Sequence, residues 1–127
     1  MDGGARGNPG PAAIAAVVTI GEDEVAHEND YIGEATNNVA EYRALLLGLE
    51  LAKRVGATEV DVINDSELVA RQIGGEYKVK QAHLKPLYQE AMAALRSFDG
   101  WSVRNVPRAE NSRADGLVNE ALDARRR

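Results

Sequence analysis

Cysteine is absent from this chain, and histidine is limited to His27 and His83. A disulfide framework is therefore excluded, thiolate zinc sites are excluded, and a zinc site built on imidazole has little to work with. No apolar run approaches the roughly 20 residues of a membrane-spanning helix, and the N-terminus lacks a basic-then-apolar leader pattern. Nothing like a phosphate-cradling Walker loop is present either. Positive charge is in short supply: 15 Lys and Arg stand against 20 Asp and Glu, for a net charge of −5. These absences point to the cytoplasm and to no membrane partner.

What is present suits one domain. A chain of 127 residues can bury a core without staples, and 44% hydrophobic with 28% charged content is that of a soluble globular protein. The Gly/Pro-rich run Asp2 to Pro11 reads as a turn. Ala12 to Ile20 is an apolar run of strand length, Gly21-Glu22-Asp23 a turn, and Glu24 to Ile32 a second, more exposed hairpin strand. Thr36 or Asn37 caps a long helix reaching Val55, and Gly56 ends it in the left-handed position.

Glu59 to Asn64 reads as a strand, and Ser66 to Ile73 as a short helix stopped by Gly74-Gly75. From His83 to Phe98 the residues Leu84, Leu87, Tyr88, Ala91 and Leu95 recur at helical spacing, with Pro86 in the tolerant first turn. Trp101 to Val106 alternates as a strand, Pro107 ends it, and Asn111 or Ser112 opens the last helix. Hairpin strands followed by strand–helix alternation predict a mixed sheet with helices on both faces. No repeat or boundary interrupts residues 1–127, and Arg125-Arg126-Arg127 reads as a solvated end.

Four acids occupy distinctive settings. Asp2 beside Gly3-Gly4 suits a turn. Glu41 lies near the start of a helix whose later turns are apolar nearly all round, so its charge must be paired, metal-bound or aimed into a cleft. Asp65 follows a strand and precedes a helix, where either it or Ser66 can be the N-cap. Asp115 near the start of the last helix suits the helix dipole.

In order and in flanking residues, these acids resemble the type 1 ribonuclease H family over nearly the whole chain. The motifs are Asp2-Gly3-Gly4-Ala5-Arg6-Gly7-Asn8-Pro9-Gly10, Thr36-Asn37-Asn38-Val39-Ala40-Glu41-Tyr42, Asn64-Asp65-Ser66-Glu67-Leu68 and Ala114-Asp115. The resemblance implies an α/β, ribonuclease H-like fold: a mixed five-stranded sheet with helices on both faces. It implies that Asp2, Glu41, Asp65 and Asp115 are catalytic and ligate two Mg2+ ions, with Mn2+ as a substitute. Carboxylate oxygens are hard ligands suited to these ions. Two cations about 3.5–4 Å apart can clamp the attacking and leaving oxygens of a phosphoryl displacement. The implied activity is endonucleolytic hydrolysis of the RNA strand of an RNA–DNA hybrid by a monomer, leaving a 5′-phosphate and a 3′-hydroxyl.

The resemblance also implies substrate contacts. Asn8, Asn37 and Asn38 would meet the minor groove, where 2′-hydroxyls distinguish RNA from DNA; turn formation and helix capping are equally good readings of each. Thr36 would join a pocket for a DNA-strand phosphate, and Ser66 would support the site or cap its helix. Arg108, in the Val106-Pro107-Arg108 pattern of one branch, stands where other members carry a His. A guanidinium does not shuttle protons near neutral pH, so it would bind phosphate or act otherwise.

Further departures qualify the expectation. The basic protrusion of some members is missing, leaving Lys78, Lys80 and Lys85 nearby, and Glu34 replaces an Arg of the phosphate pocket. Only Met1 precedes Asp2, so either the given start is truncated or misplaced, which is the favoured expectation, or the first strand is unusually short and Asp2 poorly held. Arg6, Arg104 and Arg113 are further phosphate-contact candidates, and the acidic balance predicts weak, salt-sensitive binding. The alternative is a non-catalytic hybrid- or nucleic-acid-binding module on the same fold. A DNA nuclease, a transferase or a small-molecule phosphatase ranks below both.

Overall fold

The structure, a computed structural model, describes residues 1–125. Strands β1 (Asp2–Ala5), β2 (Gly10–Ile20) and β3 (Asp23–Ala35) form an antiparallel meander. Helix α1 (Asn37–Arg54) follows, then β4 (Glu59–Asn64), α2 (Glu67–Ile73), α3 (Lys85–Arg96), β5 (Gly100–Asn105) and α4 (Ser112–Ala124). β4 and β5 pair in parallel, with Asn64 opposite Asn105. The opening run is thus a strand over Asp2–Ala5, where a turn was expected, and turns only beyond it. Small residues explain the difference: a Cβ built on Gly3 would lie 2.2 Å from the Ala40 carbonyl oxygen, so this strand requires glycine to lie against α1.

Period-two alternation along β2 places helices on both faces. Ala12 and Ile14 pack with Ala40 and Ala44 of α1, whereas Ala13 and Ala15 pack with Leu117, Val118 and Leu122 of α4. The larger core joins α1, α2 and α3 to the parallel pair, through Tyr42, Leu45, Leu49, Val62, Val69, Ile73, Leu95 and Phe98. The mixed α/β arrangement and the five strands are as expected.

The ladder itself is in two pieces among the described residues, β1-β2-β3 and β4-β5. A groove of about 500 Å3 separates the Ala16–Ile20 half of β2 from β4, with Met1 among its lining residues. β1 extends no further back than Asp2, and across this divide the Met1 amino group donates to the Ile63 carbonyl at 3.1 Å.

Helix boundaries follow local chemistry. Thr36 is the N-cap of α1, its Oγ1 accepting from Val39 N at 3.2 Å, and Gly56 follows the helix with φ +82°. Ser66, not Asp65, caps α2 by accepting from Val69 N at 3.3 Å. Between β5 and α4, Arg108–Asn111 forms a 3-10 turn. Arg125 stacks on the Tyr31 ring at 5.2 Å, while Arg126 and Arg127 of the expected solvated tail lie outside the described residues.

Candidate functional site

The close approach that Gly3 permits decides where the acids meet. With α1 resting on β1, Glu41 in the second turn of α1 reaches the strand, and Gly3 N donates to its Oε1 at 3.3 Å. Asp2 begins the same strand. β4 delivers Asp65 just beyond its C-terminal end, at the entrance to α2. One carboxylate oxygen from each of Asp2, Glu41 and Asp65 lies within 4.8 Å of the other two. Asp115, in the first turn of α4, lines the same cleft of about 420 Å3 but falls outside this tight group.

Asp2 is only 6% exposed and pairs opposite Ala15 in the β1–β2 ladder. The expectation of a poorly held Asp2 is therefore corrected. Asn111 contributes to this anchoring: its Nδ2 donates to the Met1 carbonyl at 2.8 Å, tying the base of α4 to the strand.

Burial and mutual repulsion dominate the electrostatics. Burial pushes the Asp2 carboxyl up to about 6, with further upward pressure from Asp65 and Asp115. Burial, then the Asp2 charge, pushes Glu41 up to about 9. Both shifts express the cost of keeping these carboxylates charged while buried beside one another. Glu41 Oε2 and Asp65 Oδ2 are buried with no hydrogen-bond partner. Clustered carboxylates, two orphaned oxygens and no nitrogen or sulfur donor among them fit a hard divalent cation.

The sequence-predicted contacts divide between lining and scaffold. Asn37, Asn38, Ser66 and Arg108 line the cleft, whereas Asn8 and Thr36 lie outside its lining. Asn8 Oδ1 accepts from Asn37 N at 3.1 Å, and Asn37 Oδ1 accepts from Ala5 N at 2.9 Å. These bonds fasten the turn and strand to the start of α1. Thr36 is engaged in capping. Among the candidate cations, Arg6 pairs with Asp123, Arg104 with Asp61 and Arg113 with Glu24 on the surface.

Two residues escaped the sequence reading. Asn119 lines the cleft, and its signal was positional: it follows Asp115 by one helical turn. Asn64 is wholly buried and its Oδ1 accepts from Ser66 N at 3.1 Å, shaping the bend that presents Asp65. Its place directly before Asp65 was the available clue.

Fold and site together define a class: α/β proteins that gather carboxylates beside the first strand, a donor set suited to hard cations. The family described as reverse transcriptase-like matches residues 1–121. Ribonuclease HI of Halobacterium salinarum is 46% identical over 97% of this chain and 62% of that protein. The chain belongs to the type 1 ribonuclease H family.

The crystal structure of the halobacterial ribonuclease H1 superposes with a TM-score of 0.94, covering 97% of this chain and 94% of that one. The bifunctional protein Rv2228c of Mycobacterium tuberculosis is 49% identical over 97% of this chain, which spans 34% of that relative. LC11-RNase H1, solved in complex with an RNA/DNA hybrid, is 43% identical with a TM-score of 0.94, covering 99% of this chain and 96% of that one. The chain therefore spans about a third of the mycobacterial relative and under two thirds of the halobacterial one.

Proposed function

We propose that this chain is a metal-dependent endoribonuclease that hydrolyses the RNA strand of RNA–DNA hybrids, leaving a 5′-phosphate and a 3′-hydroxyl. The observation that carries the reading is the convergence of Asp2, Glu41 and Asp65 within 4.8 Å inside a cleft that also holds Asp115 and Arg108. The hybrid seen with LC11-RNase H1 supports the choice of substrate. Residues 1–127 acting as one ribonuclease H domain, monomeric and cytoplasmic, belong to the same proposal.

Asp2, Glu41, Asp65 and Asp115 would hold two divalent cations, Mg2+ or Mn2+. Such ions supply an activated water and neutralise charge on the leaving 3′ oxygen. Gly3 N fixes the Glu41 carboxylate through Oε1, leaving Oε2 free to ligate. Asn37 and Asn38 line the cleft at the N-terminus of α1, where donors suited to 2′-hydroxyls and phosphate are concentrated. Asn8 and Thr36 would act on the substrate through the backbone they brace. Ser66 holds the start of α2, and so the bend carrying Asp65.

The test is cleavage of a labelled RNA–DNA hybrid beside matched RNA–RNA and DNA–DNA duplexes, with Mg2+, Mn2+ or EDTA. Metal-dependent cutting restricted to the RNA strand of the hybrid is expected. Asp65→Asn should lower it by at least about a thousandfold, on the scale of losing a principal catalytic group, with unfolding unchanged. Normal cleavage by that variant at saturating Mg2+ would sink the proposal. Hybrid binding without turnover in either metal would favour the binding-module reading.

A further inference from the structure

Arg108 stands apart from the other arginines near the cleft. Its side chain is 82% exposed, yet its Nε lies 3.7 Å from Oδ2 of Asp65, whose side chain is 8% exposed. That oxygen is buried and has no hydrogen-bond partner. At 3.7 Å the guanidinium is too distant for a good hydrogen bond but close enough to act on the carboxylate as a charge. Asp65 also belongs to the trio suited to a cation. A guanidinium and a divalent ion drawn to the same carboxylate repel each other.

We propose that Arg108 is a built-in competitor for the metal at Asp65, exchanged when the cation binds and then available to a substrate phosphate. The inference rests on the two-metal reading and deepens it. The arginine neighbours the carboxylate through charge, with no side-chain hydrogen bond to hold it there, and its exposed stem leaves it free to swing. A planar guanidinium matches phosphate oxygens bidentately, so displacement from Asp65 gains it a better partner. Arrival of metal and capture of phosphate become linked through one side chain. Removing Arg108 should therefore move the two affinities in opposite directions.

The experiment is Mn2+ titration without nucleic acid, followed by the electron paramagnetic resonance of free Mn2+, on wild type, Arg108→Gln, Arg108→Lys and Asp65→Asn. At low ionic strength Arg108→Gln should bind the first Mn2+ about three- to tenfold more tightly, the order expected for loss of one partly solvated charge. Arg108→Lys, which keeps the charge, should stay near wild type. The difference should shrink several-fold near 1 M salt, where the screening length falls to about 3 Å. In parallel, KM for the hybrid should rise in Arg108→Gln.

Equal or weaker Mn2+ binding by Arg108→Gln would overturn the competitor role alone. Absence of Mn2+ binding by wild type, or binding untouched by Asp65→Asn, would instead overturn the metal reading beneath it.

Discussion

Gly3 and Gly4 are neighbours in β1, but different demands are made on them. A Cβ on Gly3 would fall 2.2 Å from Ala40 O and 2.7 Å from Glu41 N, both backbone atoms that cannot yield without moving α1. On Gly4 the nearest atom is the Val118 side chain at 3.9 Å, an ordinary contact. Gly3→Ala should cost about 3 kcal/mol or more, as overpacking against fixed backbone does, and Gly4→Ala less than about 1 kcal/mol. Urea unfolding of both variants checks this. Similar midpoints would show that β1 does not need the close approach. Because the same approach places Glu41 beside Asp2, Gly3→Ala should also weaken metal binding wherever the protein remains folded.

The elements were legible in the sequence where periodicity and end signals agreed. Glu59–Asn64 and the Gly56 and Pro86 boundaries fall where alternation, a left-handed glycine and a first-turn proline place them. β1 was not legible from composition, because Asp-Gly-Gly-Ala reads as a turn; only the resemblance called for a strand here, and only the approach of Ala40 reveals why glycine serves in it. The acids were legible through their flanks, whereas their separation into a tight trio and an outlying Asp115 was set by helix placement. The buried link between α1 and α2 was also hidden: Tyr42 Oη donates to Gln72 Oε1 at 2.6 Å. Neither residue announced this role: Tyr42 stood only as a flank of Glu41, and Gln72 as an unremarked polar position in the short helix.

That bond joins the helix carrying Glu41 to the helix following Asp65, so its loss loosens α1 against α2. Tyr42→Phe keeps the ring but leaves the Gln72 carbonyl, only 4% exposed as a residue, without this donor. The expected destabilisation is about 1–3 kcal/mol, the cost of an unsatisfied buried acceptor. Tyr42→Phe with Gln72→Leu should recover part of it by removing both polar partners. Denaturant unfolding of the single and double variants reads the coupling. A single variant as stable as wild type would mean that water satisfies Gln72.

Across the chain as a whole, the acid cluster ties folding to pH. Asp2 rises from 3.8 to about 6 and Glu41 from 4.5 to about 9 in the folded chain, chiefly through burial. A raised carboxyl binds its proton more tightly when folded. Its stabilising contribution is therefore complete below the unfolded value and is lost as pH climbs through the folded one. For Asp2 alone the loss is on the order of 3 kcal/mol, complete above about pH 6, and Glu41 continues the trend to about pH 9. The buried Met1 amino group, lowered from 8.0, acts in the opposite sense near neutrality, so the informative quantity is a difference between variants.

In EDTA, wild type should lose thermal stability between pH 5 and pH 9 relative to an Asp2→Asn, Glu41→Gln double variant, which keeps the shape and removes both titrations. Adding Mg2+ should restore wild type increasingly toward high pH, because the ion binds the deprotonated acids, and should leave the double variant unmoved. Melting curves across that range, with and without Mg2+, decide the matter. Parallel pH profiles for the two proteins in EDTA would show that the carboxylates are not strained against one another. In that case the clustering of Asp2 and Glu41 would give no reason for a cation to stabilise the fold.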